Sequence, residues 1–172
     1  MGNIYLFLAE GFEEVEALSV VDIVRRAGLT IQTVSVTGHE TVTGAHGVPV
    51  KADMLFDATT IKREGVMLVL PGGLPGATNL AAHEGLRKVI LDFNTEGRLL
   101  SAICAAPLVY GQLGILKDKK ATCYPGFEKY LEGARTTGAM VEQDDNIITG
   151  KGPGAAFDFG FAIVTKLAGK EK

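Results

Sequence analysis

The sequence contains no tryptophan, and aromatic residues make up only 7% of its 172 residues. Basic residues do not outnumber acidic ones, and the formal net charge is −3. Proteins that bind nucleic acids usually present a basic stripe, often together with aromatic side chains on which bases stack. Because the sequence shows neither feature, we expect no nucleic-acid partner.

Cysteine and long apolar runs are also scarce. The only two cysteines are Cys104 and Cys123, which is more typical of a reducing cytosol than of a secreted disulfide framework. No apolar run is long enough to cross a bilayer, and Met1-Gly2-Asn3 does not resemble the start of a secretory leader. We therefore expect a cytoplasmic protein without a membrane anchor.

Motifs for metals and nucleotides are missing as well. No His, Cys and Asp spacing is typical of zinc, and no phosphate loop of the Gly-x-x-x-x-Gly-Lys kind occurs. We therefore expect neither a metal nor a cofactor. The length predicts a single domain over residues 1–172, large enough to bury about 70% of the unfolded surface without disulfides or metals.

Apolar periodicity predicts an alternation of strands and helices along the chain. Buried strands are predicted at 4–9, 30–36, 66–70 and 99–103, helical segments at 13–26, 76–94, 108–113 and 154–167, a short strand at 120–123, and hairpins at 42–52 and at 140–141 with 147–149. This alternation is typical of a mostly parallel sheet covered by helices on both faces. Such sheets place their functional sites at the carboxyl ends of the strands.

Cys104 follows the predicted strand 99–103 directly and precedes a helix whose first turn contains Pro107. Its neighbours at two residues' distance, Ala102 and Ala106, are small, as a sharp strand-to-helix turn requires. The start of the helix would direct N–H groups toward the sulfur and favour the thiolate. These residues alone are also compatible with a buried structural cysteine.

Three glutamates, Glu13, Glu14 and Glu16, open the first predicted helix. Glu13 and Glu14 are explained by the helix dipole and by exposure to solvent. Glu16 lies on a face that also carries Val20, and we expect its carboxyl to reach Cys104. A buried Glu16 would be neutral, donate a hydrogen bond to the thiolate and serve as a general acid–base.

Four motifs together resemble the ThiJ/PfpI superfamily, and within it the DJ-1/ThiJ/YajL-like branch. They occur in the family's order and spacing over essentially the whole chain, as Gly-Phe-Glu-Glu-Val-Glu at 11–16, Leu-Pro-Gly-Gly at 70–73, Ala-Ile-Cys-Ala-Ala-Pro at 102–107 and Gly-Pro-Gly at 152–154. The resemblance implies a flavodoxin-like three-layer α/β sandwich that forms a homodimer.

The resemblance also implies roles for individual residues. Cys104 is the reactive and readily oxidised cysteine, Glu16 is its protonated partner, and the N–H groups of Gly73 and Ala105, beside Gly72, form an oxyanion pocket. The implied activity is that of a cofactor-free glyoxalase or deglycase acting on α-oxoaldehydes or on their early protein adducts. The implied alternative is a redox-sensing chaperone whose Cys104 is oxidised to a sulfinate.

The sequence departs from relatives of this superfamily at three positions. The peptidase branches carry a histidine where this chain has Ala105, which disfavours a protease or amidase. Tyr124 stands where some relatives have a histidine near the site and the bacterial relatives have an aromatic residue, and it could offer its hydroxyl to a substrate oxygen. His46 stands where an arginine is found at the dimer interface, and this weakens any charged contact with an oxidised sulfur.

The remaining candidate residues have structural explanations. Cys123 could react with an oxidised Cys104, but a cysteine in a strand is more often part of the core. His39 and His83 lie in polar turns and are expected at the solvated surface.

Overall fold

The computed structural model describes residues 2–171. Met1 and Lys172, the two ends of the predicted 1–172 domain, lie outside the described residues. The strands are β1 (Asn3–Leu8), β2 (Ile31–Ser35), β3 (Thr41–Thr43), β4 (Pro49–Lys51), β5 (Met54–Leu55), β6 (Gly65–Leu70), β7 (Leu99–Ile103), β8 (Lys120–Ala121), β9 (Arg135–Thr136), β10 (Val141–Asp144) and β11 (Ile147–Gly150). The helices are α1 (Glu14–Arg26), α2 (Ala58–Glu64), α3 (Gly76–Ala82), α4 (Glu84–Thr95), α5 (Pro107–Gln112) and α6 (Ala156–Ala168).

Seven strands form the central sheet in the order β10-β11-β7-β6-β1-β2-β5. All neighbours in this sheet are parallel except β10 and β11, which form an antiparallel hairpin. A second hairpin pairs β3 with β4, as predicted for 42–52, and β8 pairs with β9. The predicted mostly parallel α/β fold is therefore confirmed.

Helices cover both faces of the sheet because both faces of its central strands are apolar. On one side, α1 and α6 pack against Leu6 and Val69, and on the other α2 to α5 pack against Phe7 and Leu68. Successive residues of a strand point to opposite faces, which explains why these central strands are continuous apolar runs. Among the described residues, no helix is long and apolar enough to cross a membrane.

The predicted helical segment 76–94 is two helices that meet at His83. The Nδ1 atom of His83 accepts a hydrogen bond from the Leu86 N–H at 3.0 Å, so this histidine caps α4. Its ring packs edge-on against Phe56, with ring centroids 4.7 Å apart. The expected surface position of His83 is wrong, since capping and packing leave the side chain half-buried, whereas His39 is exposed as predicted.

Three neighbouring parallel strands, β1, β6 and β7, end at the same edge of the sheet. The segment after β1 leads into α1, the segment after β6 contains the two glycines of the 70–73 motif, and Cys104 follows β7. A buried hydrogen bond of 2.8 Å from the Tyr110 hydroxyl to the Ser101 carbonyl ties α5 to β7. The strand ends thus bring the three predicted loops together.

Candidate active site

Cys104 lies at a strained corner between β7 and α5. Its φ of 66° is in the left-handed region, which residues other than glycine rarely adopt. Two hydrogen bonds hold this backbone in place. The Cys104 N–H donates to the Gly150 carbonyl at 2.9 Å, and the Cys104 carbonyl accepts from the Tyr124 N–H at 2.8 Å. The structure therefore contains the predicted strand-to-helix corner, and the cysteine there is 9% exposed.

Backbone N–H groups and a glycine surround the cysteine. The N–H groups of Ala105 and Gly73 both donate toward the Cys104 sulfur and favour its anion. Gly72 faces the same side chain so closely that a Cβ at this position would lie 2.7 Å from the Cys104 Cβ and 2.7 Å from Glu16 Oε1. The cysteine and the carboxyl can be neighbours only because residue 72 has no side chain.

Glu16 is fully buried on α1, and its Oε1 accepts a hydrogen bond from the Gly72 N–H at 3.0 Å. Its other oxygen, Oε2, has no hydrogen-bond partner with the geometry of a strong bond among the described residues. Burial raises the pKa of Glu16 to about 7 and outweighs the opposing hydrogen bond with Cys104, while the negative charge of Glu13 adds to the increase. A protonated Glu16 carboxyl can donate toward the sulfur, which is the role predicted for it.

The environment of Cys104 as a whole raises the pKa of its thiol. Burial is the main cause, followed by the charge and the hydrogen bond of Glu16, and the N–H groups of Ala105 and Gly73 only partly offset them. The expected lowering of this pKa by the helix start is wrong. Burial and the neighbouring Glu16 carboxylate disfavour the thiolate more than the dipole of the six-residue helix α5 favours it.

One proton is shared between Cys104 and Glu16 once the pair has lost its first proton. Moving that proton from the sulfur to the carboxylate converts the thiol and carboxylate into a thiolate and a carboxylic acid, with no change in total charge. The buried pair thereby has a reactive form in which a thiolate adjoins a proton donor. This form can attack a carbonyl carbon and protonate the oxygen that results.

A pocket of about 290 Å³ opens onto the cysteine, and its lining includes Cys104, Gly73, Ala105, Tyr124 and His46. Its size is that of a site for a small organic molecule. Tyr124 is 46% exposed and packs edge-on against Phe127, with ring centroids 6.4 Å apart. The pocket therefore brings the predicted site residues together, with Glu16 and Gly72 behind the cysteine.

Cys123 does not share the environment of Cys104. Both cysteines are free, but Cys123 packs in the core on the α2 to α5 side of the sheet, whereas Cys104 packs on the α1 and α6 side. Burial raises the pKa of the Cys123 thiol to about 11. These surroundings favour a structural role for Cys123 over reaction with Cys104.

The expected exposure of Glu14 to solvent is wrong. Glu14 is 7% exposed, and its carboxylate accepts hydrogen bonds from the N–H groups of His46, at 2.9 and 3.1 Å, and of Val48, at 3.2 Å. The turn of the β3–β4 hairpin folds over the start of α1 and carries His46 into the pocket. No periodicity or spacing in the sequence indicates this contact.

Glu13, Glu14 and His46 each offer one ligand atom, and these atoms lie within 4.8 Å of one another. These are the side chains of the site that could approach a metal ion. The Glu14 oxygens, however, already accept backbone N–H groups, which a metal would have to displace. The absence of a metal stays a prediction.

The model of the DJ-1/PfpI family matches residues 2–166. The chain is similar to Protein DJ-1 homolog B of Arabidopsis thaliana, with 40% identity over 96% of this chain and 38% of that protein, so it spans about two fifths of this plant relative. It is also similar to the Parkinson disease protein 7 homolog of Danio rerio, with 34% identity over 96% of this chain and 89% of the relative. A third relative is the glutathione-independent glyoxalase DJR-1.2 of Caenorhabditis elegans, with 32% identity over 95% of this chain and 87% of the relative.

The chain also superimposes on solved structures of DJ-1 proteins. Oxidized DJ-1 of Toxoplasma gondii superimposes with a TM-score of 0.92 and 32% identity over 99% of this chain and 93% of that chain. DJ-1beta of Drosophila melanogaster does so with a TM-score of 0.92 and 31% identity over 99% and 92% of the two chains. The fold is therefore the flavodoxin-like sandwich of these neighbours.

The raised pKa of Glu16 predicts a pH-dependent stability. The folded state binds the Glu16 proton more tightly than the unfolded state between pH 4.5 and about pH 7, so the free energy of unfolding falls as the pH rises through this window. The loss attributable to Glu16 is about 3 kcal/mol. Urea unfolding at both ends of the window should show this loss in the wild type and in the exposed control Glu132→Gln, but not in Glu16→Gln. An equal loss in Glu16→Gln would contradict the assignment.

Proposed function

Since the chain belongs to the DJ-1/PfpI family, we propose that it is a cysteine-dependent, cofactor-free glyoxalase that converts α-oxoaldehydes into 2-hydroxy acids. The observation that carries the proposal is the buried pair of Cys104 and Glu16, with the N–H groups of Gly73 and Ala105 directed toward the sulfur. The name of the Caenorhabditis elegans relative, a glutathione-independent glyoxalase, supports the same class of reaction.

The first step is addition of sulfur to the aldehyde. The Cys104 thiolate forms a C–S bond to the aldehyde carbon, and the carbonyl electron pair moves onto oxygen. The N–H groups beside the sulfur are placed to stabilise this developing negative charge. The Glu16 carboxylic acid then gives its proton to the oxygen, and a hemithioacetal and a Glu16 carboxylate result.

The second step moves one proton between two adjacent carbons. The Glu16 carboxylate removes the hydrogen from the former aldehyde carbon, and the electron pair moves onto the ketone oxygen to give an enediolate. Glu16 then returns the proton to the former ketone carbon while the hydroxyl proton on the former aldehyde carbon passes to the neighbouring oxygen, which gives a 2-hydroxyacyl thioester on Cys104 and a Glu16 carboxylate. One carbon is oxidised and the other reduced, so the step needs no external redox partner. A carboxyl with a pKa of about 7 is suited to both directions of this transfer near neutral pH.

The last step is hydrolysis. Water attacks the thioester carbonyl and loses one proton to solvent, and the C–S bond breaks with its electron pair returning to sulfur. The acid proton of the product passes to the Glu16 carboxylate, so that a 2-hydroxy carboxylate leaves and the Cys104 thiolate beside a protonated Glu16 is restored. The pocket of about 290 Å³ accommodates a small aldehyde. Because the pocket opens at the exposed Tyr124 and Leu74, early adducts of α-oxoaldehydes on protein side chains are proposed as further substrates, and the Tyr124 hydroxyl is available to bind a substrate oxygen at this opening.

The proposal predicts that the purified protein forms lactate from methylglyoxal in the absence of glutathione. Cys104→Ser removes the nucleophile and Glu16→Gln removes the proton carrier, so each should lower kcat/KM by at least about 100-fold. The matched control Cys123→Ser should retain the wild-type rate. Chromatographic measurement of lactate checks these rates. Wild-type activity in Glu16→Gln would contradict the mechanism.

A second candidate function is redox sensing, which is favoured by the same N–H groups. They stabilise negative charge at the sulfur, and a sulfinate is an anion there. Two molecules of a peroxide would each transfer one oxygen to the Cys104 sulfur and be reduced to water or an alcohol. The oxidised site would then alter the binding of a protein partner, as in a redox-sensing chaperone.

Redox sensing predicts selective oxidation of one cysteine. Under mild peroxide, the intact mass should increase by two oxygens, and peptide mapping should place both on Cys104 before Cys123 is modified. Cys104→Ser should not gain this mass, whereas Cys123→Ser should. Oxidation of Cys123 or of methionines before Cys104 would count against the sensor function.

We further propose that the protein forms a homodimer through the exposed faces of α1 and α6. These adjacent helices expose four large apolar side chains, which are Val15, Leu18, Phe157 and Phe161, with exposed fractions from 39% to 62%. Exposed apolar clusters of this kind commonly mark interaction surfaces. A second copy of the chain supplies a matching apolar surface, since a twofold interface pairs the same face of both subunits.

The dimer proposal predicts that Phe157→Asp yields a monomer. The aspartate would have to be buried in an apolar interface without a charged partner, and this would weaken the free energy of dimerisation by several kcal/mol. Sedimentation should show a dimer for the wild type and for the control Leu91→Asp, whose apolar side chain is 40% exposed on α4. A monomeric wild type, or an unchanged dimer in Phe157→Asp, would contradict the proposed interface.

A further inference from the structure

Hydrogen bonds to the residues at the start of α1 hold His46 at the pocket. The Ala45 N–H donates to the Phe12 carbonyl at 2.8 Å, and the His46 N–H donates to Glu14 Oε2 at 2.9 Å. Gly44 makes room for this contact, because a Cβ there would overlap the Glu14 carboxyl group. The position of the imidazole is therefore determined by a buried carboxylate and not by a free surface loop.

The contacts of the imidazole determine which nitrogen carries its hydrogen. Nδ1 lies 3.2 Å from Glu14 Oε1 and 3.4 Å from Glu13 Oε2. Burial acts to raise the pKa of Glu14, but the hydrogen bonds from its own N–H, from Val48 and from His46 together keep it below its ordinary value, so the group is a carboxylate. Carboxylates only accept hydrogen bonds, and Nδ1 must therefore be the protonated nitrogen. In the neutral ring, the lone pair is on Nε2.

His46 and Glu16 approach the cysteine from different surroundings. Glu16 is fully buried and has no access to solvent, whereas the side chain of His46 is 71% exposed in the single chain and lines the same pocket as Cys104. A molecule attached to the sulfur is thus flanked by an interior proton carrier and by an imidazole that water can reach. Imidazole is the side chain whose ordinary pKa is closest to neutral pH.

Resting on the proposed glyoxalase function, we propose that His46, oriented by Glu14, is the general base that hydrolyses the 2-hydroxyacyl thioester on Cys104. The water oxygen forms a bond to the thioester carbon while His46 Nε2 takes the water proton. The tetrahedral intermediate then collapses, the C–S bond breaks, and its electron pair returns to the sulfur. His46 finally releases the proton to solvent. Glu14 is a positioning residue in this step, as the carboxylate is in other imidazole–carboxylate pairs.

His46→Asn is the variant that isolates this role. The asparagine amide can still donate to Glu14 from near the Nδ1 position, but it has no counterpart of Nε2. The matched control is His39→Asn, at an exposed turn outside the pocket. With methylglyoxal as substrate, we expect His46→Asn to turn over on the order of 100-fold more slowly than the wild type, and His39→Asn to match the wild type.

The state of Cys104 during turnover separates a base from a structural residue. In His46→Asn, Cys104 should accumulate an adduct with the mass of one methylglyoxal, and hydroxylamine should release it as a hydroxamate, which identifies a thioester. Added imidazole should restore turnover in His46→Ala, because the exposed position admits the free base. Neither effect is expected if His46 only supports the hairpin turn.

Each outcome of this experiment bears on one of the two proposals. Equal turnover in His46→Asn and the wild type, or slow turnover without an adduct and without rescue by imidazole, would overturn the role of His46 and leave the glyoxalase function in place. A wild type that forms neither lactate nor an adduct would overturn the glyoxalase function and the role of His46 with it. Glu13, Glu14, Tyr124 and the Cys104–Glu16 pair border the imidazole or the pocket. Their ionisation therefore also contributes to the pH dependence of hydrolysis.

Discussion

The contact between the buried Glu16 carboxyl and the Cys104 thiol is the constraint on which the site depends. Two ionisable groups lie together in a space where burial disfavours charge on either of them, so the pair keeps both protons to near neutral pH and shares one proton above it. The absence of a side chain at Gly72 and the left-handed backbone of Cys104 both serve to make this contact possible. The same contact supplies a nucleophile and an acid in one place.

Two glutamates two residues apart on α1 have opposite protonation preferences because their partners differ. Glu14 accepts backbone N–H groups from the hairpin turn and is held as a carboxylate. Glu16 accepts one N–H group, from Gly72, and its buried second oxygen has no hydrogen-bond partner within residues 2–171, which favours the protonated form. One helix start therefore anchors a loop with one carboxylate and carries a proton with the other. The division of roles resembles that of other sites in which paired carboxyl groups differ only in environment.

Parallel strands explain why distant segments meet at this site. Since β1, β6 and β7 are neighbours that run in the same direction, the chain leaves all three at one edge of the sheet. Glu16, Gly73 and Cys104 follow those three strand ends and need only short connections to come together. The hairpin that carries His46 lies outside the central sheet and is hydrogen-bonded to Glu14 at the start of α1 and to the Phe12 carbonyl just before it.

Apolar periodicity and turn chemistry determined much of this protein from the sequence alone, because strands, helices and a strand-to-helix corner at Cys104 depend on local spacing. The inward direction of Glu16 followed from helix geometry in the same way. Only the tertiary structure decided the burial of Glu14, the place of His46 in the pocket and the raised pKa of Cys104. These properties depend on what segments distant in sequence bring to each residue, namely exclusion of water, N–H donors and neighbouring charge. No local pattern in the sequence encodes these contributions from distant segments.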